Sequence, residues 1–342
     1  SSGENNTAVG YQSFDAFTTA GNTTALGYQA GSAITSGNSN TTIGYQSSLS
    51  LTSGAANVTI GSAAGDAMTD TSHTVLIGAN AGTAINSTDA NGTIAIGYNA
   101  GKAITDGQYN TVIGYTAADS LTTGDSTVAV GYGAAQSLTE QLKNVAVGES
   151  AMYSLSHVDA DSNIAIGNSA MLGGSGLVTN CIAIGSYAMD GTGTIGGLDN
   201  IFIGLNAGGG SWATAASSYN VGIGNGVMDA AMNGASYNTA VGYASLSAVT
   251  TGDFNVAIGP ETLSIVTSET QNVAVGSYAL QVNTGNFNTA VGASAGANVS
   301  SGTQNVFIGK SAGHYATTTT YSVFIGYHAG YYQKIASNGN VH

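Results

Sequence analysis

Asn144-Val145-Ala146-Val147-Gly148 returns unchanged as Asn272-Val273-Ala274-Val275-Gly276, and variants of it fill the chain between and around them. The motif reads Asn-x-Ala-Val/Ile-Gly. Its glycines stand at 10, 27, 44, 61, 78, 97, 114, 131, 148, 167, 185, 204, 224, 242, 259, 276, 292, 309 and 326, which makes 19 copies. Eleven of the 18 spacings are 17 residues, and the rest run from 16 to 20. Self-similarity at such a period is the mark of a repeat architecture, in which one unit cannot bury a face alone and stacked units can.

Positions are counted here from the motif glycine. Position −1 is Val or Ile in every copy except Leu26, and position −3 is Thr, Val or Ile in all 19. Position −2 is usually Ala, and position −4 is Asn in 13 copies. Alternation with period two and β-branched enrichment predict one short strand per copy. The β-branched residues then share one face, and Ala with Gly shares the other. We read the β-branched face as the coil interior, so that Ile166→Asp would unfold neighbouring coils, and the smooth Ala/Gly face as packing on other subunits. Position +3 is Ala in 14 copies. A second short strand is expected there, ending in turns such as Leu121-Thr122-Thr123-Gly124. Unequal spacings are expected to be absorbed in turns, because a one-residue slip within a strand would exchange its two faces. The fold class expected is all-β: a parallel β-solenoid of about 19 coils with a 17-residue repeat. Residues 1–342 form a single continuous repeat domain, with repeats over 5–330 and a C-terminal tail over 331–342.

Composition excludes several functions. Charged residues make up 6% of the 342, against about 25% in ordinary globular chains. The formal charge is −14, arginine is absent, and the cations are Lys102, Lys143, Lys310 and Lys334. Such a chain neutralises few phosphates, which argues against nucleic acid and against an anionic membrane surface. No apolar run approaches the roughly 20 residues that span a bilayer. Cys181 is the single cysteine, so neither an intrachain disulfide nor a Cys-based zinc site is expected.

Asn6-Thr7-Ala8-Val9-Gly10-Tyr11, its twin at 238–243, and Gly27-Tyr28-Gln29-Ala30-Gly31 resemble the head repeats of trimeric autotransporter adhesins. They resemble still more closely the longer repeats of bacteriophage tail fibres. The resemblance covers residues 5–330. It implies a left-handed β-roll, a homotrimer, and a structural or adhesive fibre segment on a virion tail or a cell surface. It also implies that the chain is part of something longer. A tail-fibre shaft that contacts host-surface glycans is the function expected. A bacterial surface adhesin or filament is the alternative, and an ice-binding solenoid ranks third.

Candidate contact residues come from alignment of the repeats. Tyr11, Tyr28, Tyr45, Tyr98, Tyr115 and Tyr132 follow the motif glycine, which predicts aromatic columns that stabilise the stack or meet sugars. The Asn positions predict amide ladders. Trp212, the single tryptophan, lies beside Gly208-Gly209-Gly210 in the stretch of widest spacings, Gly148 to Gly224. It is the candidate for a recognition loop or a subunit contact. No nucleophile motif, phosphate loop or calcium repeat is present, so no catalytic residue, metal or cofactor is assigned. Asp159 with Asp161, and His314 with His328, are the remaining pairs; a solvated turn and scattered surface imidazoles are the readings favoured for them.

Overall fold

The computed structural model describes residues 3–212, 214–333, 339 and 341. Lys334, His342 and most of the tail beyond residue 333 lie outside the described residues. The fold is an all-β parallel solenoid of about 19 turns. It falls into two compact units, Ser1–Ser169 and Ala170–His342.

In each unit every motif forms one three-residue strand, and consecutive strands pair in parallel and in register. In the first unit Thr7, Ala8 and Val9 face Thr24, Ala25 and Leu26 one coil on. In the second, Val256, Ala257 and Ile258 face Val273, Ala274 and Val275. The segment after the glycine is a turn, not the second strand that the repeat suggested. Left-handed backbone explains why. In most coils positions +2 and +4 adopt positive φ, as at Gln29 (54°) and Ala118 (44°). Two such residues within three cannot propagate a strand. Among the described residues, a second strand pair occurs only where Val178–Thr179 meets Gly197–Leu198.

The register is the inverse of the one read from the pattern. From Ala25 onward every −2 residue is buried, whereas Ile166 is 39% exposed and Val147 is half-buried. The Ala/Gly face is therefore the core, and the β-branched face looks outward. The cause is the narrowness of a 17-residue coil. Opposite walls come so close that the strand usually projects a small side chain inward, and a larger one such as Leu76 or Phe202 needs glycine across the coil. The rest of the core comes from Ala at +3 and from one larger residue past the turn, such as Ile34, Leu51, Ile104 or Leu138.

Volume is conserved across that core. Where −2 is large, +4 is glycine: Phe202 faces Gly208, Phe307 faces Gly313 and Phe324 faces Gly330. A Cβ on any of these glycines would lie 2.1–2.8 Å from the ring. Where −2 is Ala, +4 can be large, as at Met152, Leu246 and Leu263. Where both are small, as at Ala25 with Gly31 and Ala95 with Gly101, Ile34 and Ile104 fill the space, as native packing density requires.

Asparagine at −4 points inward and ties successive coils together. The Asn40 amide donates to the Gly54 carbonyl at 2.9 Å, and its Oδ1 accepts the Asn57 backbone N–H at 3.0 Å. In the second unit the amides also bond one another: Asn255 donates to Asn238, and Asn272 to Asn255, at 3.1 and 3.2 Å. The expected ladder is present. It satisfies backbone groups that the tight turns would otherwise bury unpaired.

Spacing irregularities fall in turns, as expected. The two extra residues between Gly78 and Gly97 are taken up around a single 3₁₀ turn, Thr88–Ala90, where Ser87 accepts the Asp89 N–H.

Candidate functional site

The tyrosines after the motif glycine stand in columns because each glycine turns the chain the same way. In the first unit Tyr11, Tyr28 and Tyr45 stack at 5.4 Å with interplanar angles of 15° and 10°. Tyr98, Tyr115 and Tyr132 form a second run at 5.1 and 5.6 Å. The runs are separated where Ser62 and Ala79 take the position. In the second unit position −5 does the same work: Tyr219, Tyr237 and Phe254 stack at 4.8 and 4.9 Å. All these rings are exposed. Within a run, however, the inner ring has a neighbour on both faces. Face-on stacking of a sugar is thus closed to Tyr28 and Tyr115, and what solvent meets is ring edge and phenol hydroxyl.

An amide ladder accompanies the first run. Gln29 donates to Gln12, and Gln46 to Gln29, each at 3.0 Å. The backbone fixes the rungs, with Gln29 N–H donating to the Tyr11 carbonyl and Gln46 N–H to the Tyr28 carbonyl, both at 2.9 Å.

Trp212 does not stand on the surface. It is 4% exposed, its indole N–H donates to the Gly208 carbonyl at 3.2 Å, and its ring meets Phe202 edge-on at 6.4 Å. A Cβ on Gly197 would lie 2.3 Å from the indole, so that glycine makes the room. The irregular stretch has spent its tryptophan on filling a wider coil, which corrects the expectation of a recognition loop or a contact between subunits at this residue.

The turn acids prove to be structural. Asp125, Asp161 and Asp253, all six residues before a motif glycine, accept the backbone N–H of Gln108, Leu142 and Ser236 on the preceding coil at 2.7–2.8 Å. Asn38, Ser72 and Asn286 do the same at 2.7–3.0 Å. Sequence reasoning saw acids near turns but not this shared offset, which was there to be counted. Asp161 is therefore a turn partner and not half of a carboxylate pair with Asp159. Asp70 is held below the usual carboxylate range by the Ser53 and Thr52 hydroxyls that donate to it. Asp190 and Asp229 are both pushed up by partial burial, Asp190 also by the charge of Asp229.

His314 stacks on Tyr331 at 5.1 Å, and His328 on Tyr327 at 3.9 Å, so each imidazole is engaged with a ring. Cys181 replaces Asn in the inward ladder, where burial pushes its thiol up to about 11 and Asn200 N–H donates to its sulfur. Among the described residues no group of three or more His, Cys, Asp or Glu could hold a metal, no pocket opens, and no helix is long and apolar enough to cross a membrane.

The third surface is the outward sheet face. Positions −3 and −1 give each unit two parallel columns of Thr, Val, Ile and Leu, half-buried or exposed throughout. Leu26, Ile223, Ile258, Val291 and Ile308 are among its exposed members. Compared with known families and with curated proteins, the chain matches no family model and no curated protein.

Proposed function

We propose that this chain is a structural and adhesive fibre segment whose outward sheet faces join it to copies of itself as a homotrimer. The observation that carries the reading is the uninterrupted pair of β-branched columns on each unit's surface. A face of this kind is uncharged and mostly apolar, with threonine hydroxyls among its Val, Ile and Leu, and it repeats at the spacing of the coils. Every copy carries the same two columns at the same spacing, so copies around a three-fold axis can meet in register, one side of the face on one copy against the other side on the next. Covering such a face contributes about 25 cal/mol per Å² of apolar area, summed over many coils. The Ala/Gly face is spent on the core, so the subunit boundary belongs to positions −3 and −1. The polar side chains that recur, Asn at −4 and Asp, Asn or Ser at −6, are committed to neighbouring coils, which suits a mechanical role rather than a catalytic one.

The motif resemblance supports a bacteriophage tail-fibre shaft that contributes to host-surface contact; a bacterial surface adhesin fits the same geometry. The test is sedimentation of the 33.7 kDa chain against an Ile223→Asp/Ile258→Asp double variant. Both residues are exposed, at 39% and 41%. The parent should sediment as three copies, and the variant as a folded monomer with an unchanged β-sheet circular dichroism spectrum. A parent that stays monomeric at micromolar concentration overturns the trimer. A variant that unfolds overturns the register.

One observation favours a second reading. Position −3 faces outward, so the threonines that occupy it are open to solvent. Thr7, Thr24 and Thr41 stand one above another on the outward face, beside Val9, Leu26 and Ile43. If this array orders ice, the chain will show thermal hysteresis that Thr24→Lys abolishes; no hysteresis in the parent removes the reading.

A further inference from the structure

We propose that the first three coils carry a binding strip for an extended, uncharged β-1,4-linked glycan, running along the stack over Tyr11, Tyr28 and Tyr45 with Gln12, Gln29 and Gln46. The proposal rests on the adhesive reading above and names a ligand class for it.

The ring geometry sets the mode. Because the rings are stacked on one another, each offers an edge and a hydroxyl every 5.4 Å. Beside each ring stands a glutamine. An amide has two N–H donors and a carbonyl with two lone pairs, and the ladder uses one of each at Gln29. Gln29 thus keeps one donor and one acceptor for a ligand. Each rung therefore presents an apolar edge, a phenol that donates or accepts, and amide capacity of both kinds.

The ligand must match that chemistry at that spacing. A sugar hydroxyl donates and accepts, as an amide and a phenol do. A β-1,4-linked chain is extended and advances by close to one strand spacing per residue, so one sugar meets one rung. The protein's formal charge of −14 disfavours anionic polymers, which leaves neutral hexose and N-acetylhexosamine chains. Single exposed hydrogen bonds contribute little, about 0.5–1.5 kcal/mol each, so affinity must come from several rungs on one polymer. The strip ends at Ser62-Ala63, where both partners are lost.

The experiment titrates the full chain with cello- and chito-oligosaccharides from dimer to hexamer, followed by NMR or calorimetry. Affinity should rise with each residue up to three and then level off. Tyr28→Phe keeps the stack and removes one hydroxyl; Gln29→Ala cuts the amide ladder. Together they should weaken hexamer binding by about tenfold, the loss of one or two hydrogen bonds. The Tyr98 run lacks the glutamines, so Tyr115→Phe should leave binding unchanged. No binding of either series, affinity independent of length, or equal affinity in the double variant overturns the proposal. Sedimentation of the same variants keeps the outcomes apart: a chain that assembles but binds no glycan loses this inference alone, and one that binds but stays monomeric loses only the trimer.

Discussion

Gly131→Ala will unfold several coils of the first unit. Gly131 has φ +138, a conformation that L side chains rarely adopt, and a Cβ there would lie 2.4 Å from the Gly148 carbonyl oxygen and 2.6 Å from its carbon. Backbone strain of this kind costs about 1–3 kcal/mol by itself. The clash adds to it, because the obstacle is the backbone of the next coil and cannot rotate away. Nearly every motif glycine meets the next one in this way, which is why this position admits no other residue in the chain. Gly226→Ala is the control. Its φ is +62 and a Cβ there meets nothing within 4 Å. Alanine already occupies the same position at Ala63 and Ala244 with φ of 54° and 49°. With strain but no clash, the control should cost about 1–2 kcal/mol, well below Gly131→Ala. Denaturant unfolding followed by circular dichroism measures both, and equal costs would mean that the coils do not touch at the motif glycine.

The second large effect lies at Trp212. Trp212→Ala removes a buried indole, its hydrogen bond to Gly208 and its edge contact with Phe202. It leaves a cavity lined by the Gly197–Leu198 strand and the turn at Gly208, whose hydrogen bonds to neighbouring coils oppose collapse. The expected loss is about 3–5 kcal/mol. Hydrogen exchange should show lost protection across the coils around 189–228, with the first unit unaffected. Since Trp212 is the single tryptophan, its fluorescence reports the same event: buried in the parent, it should stay inaccessible to iodide until the second unit opens. A Trp212→Ala chain as stable as the parent would contradict the packing described.

The architecture was legible because the repeat is long, in phase and strand-like at each copy. Which face turned inward was not, and the reason is general. Period two divides a strand into two faces and says nothing about which one the coil encloses. Hydrophobicity favoured the β-branched face, but the available volume decided, and volume belongs to the whole coil. The clue was nonetheless in the chain. At −2 the large residues Phe202, Phe307 and Phe324 each bring a glycine at +4, and only positions that share a core must compensate one another. Positions −3 and −1 exchange Thr, Val, Ile and Leu with no answering change elsewhere. The tyrosine columns were readable directly, since a fixed offset from a repeated turn is a fixed place in space. Trp212 was not. The three glycines beside it suggested a loop, while its nearest constraint, Gly197, lies a coil away.

The strand bonds and the side-chain ladders of this chain join residues 12 to 20 positions apart, most often 17. No strand waits for a partner synthesised much later. Contacts this local favour rapid growth from any coil that has formed, so the chain can fold as it leaves the ribosome, each coil templating the next. The same uniformity makes length a free variable. Removing or duplicating one 17-residue unit, for instance residues 115–131, returns every neighbour to a partner of the same kind. Duplication within the gene can thus set the reach of such a protein in steps of one coil, without a new sequence having to be found.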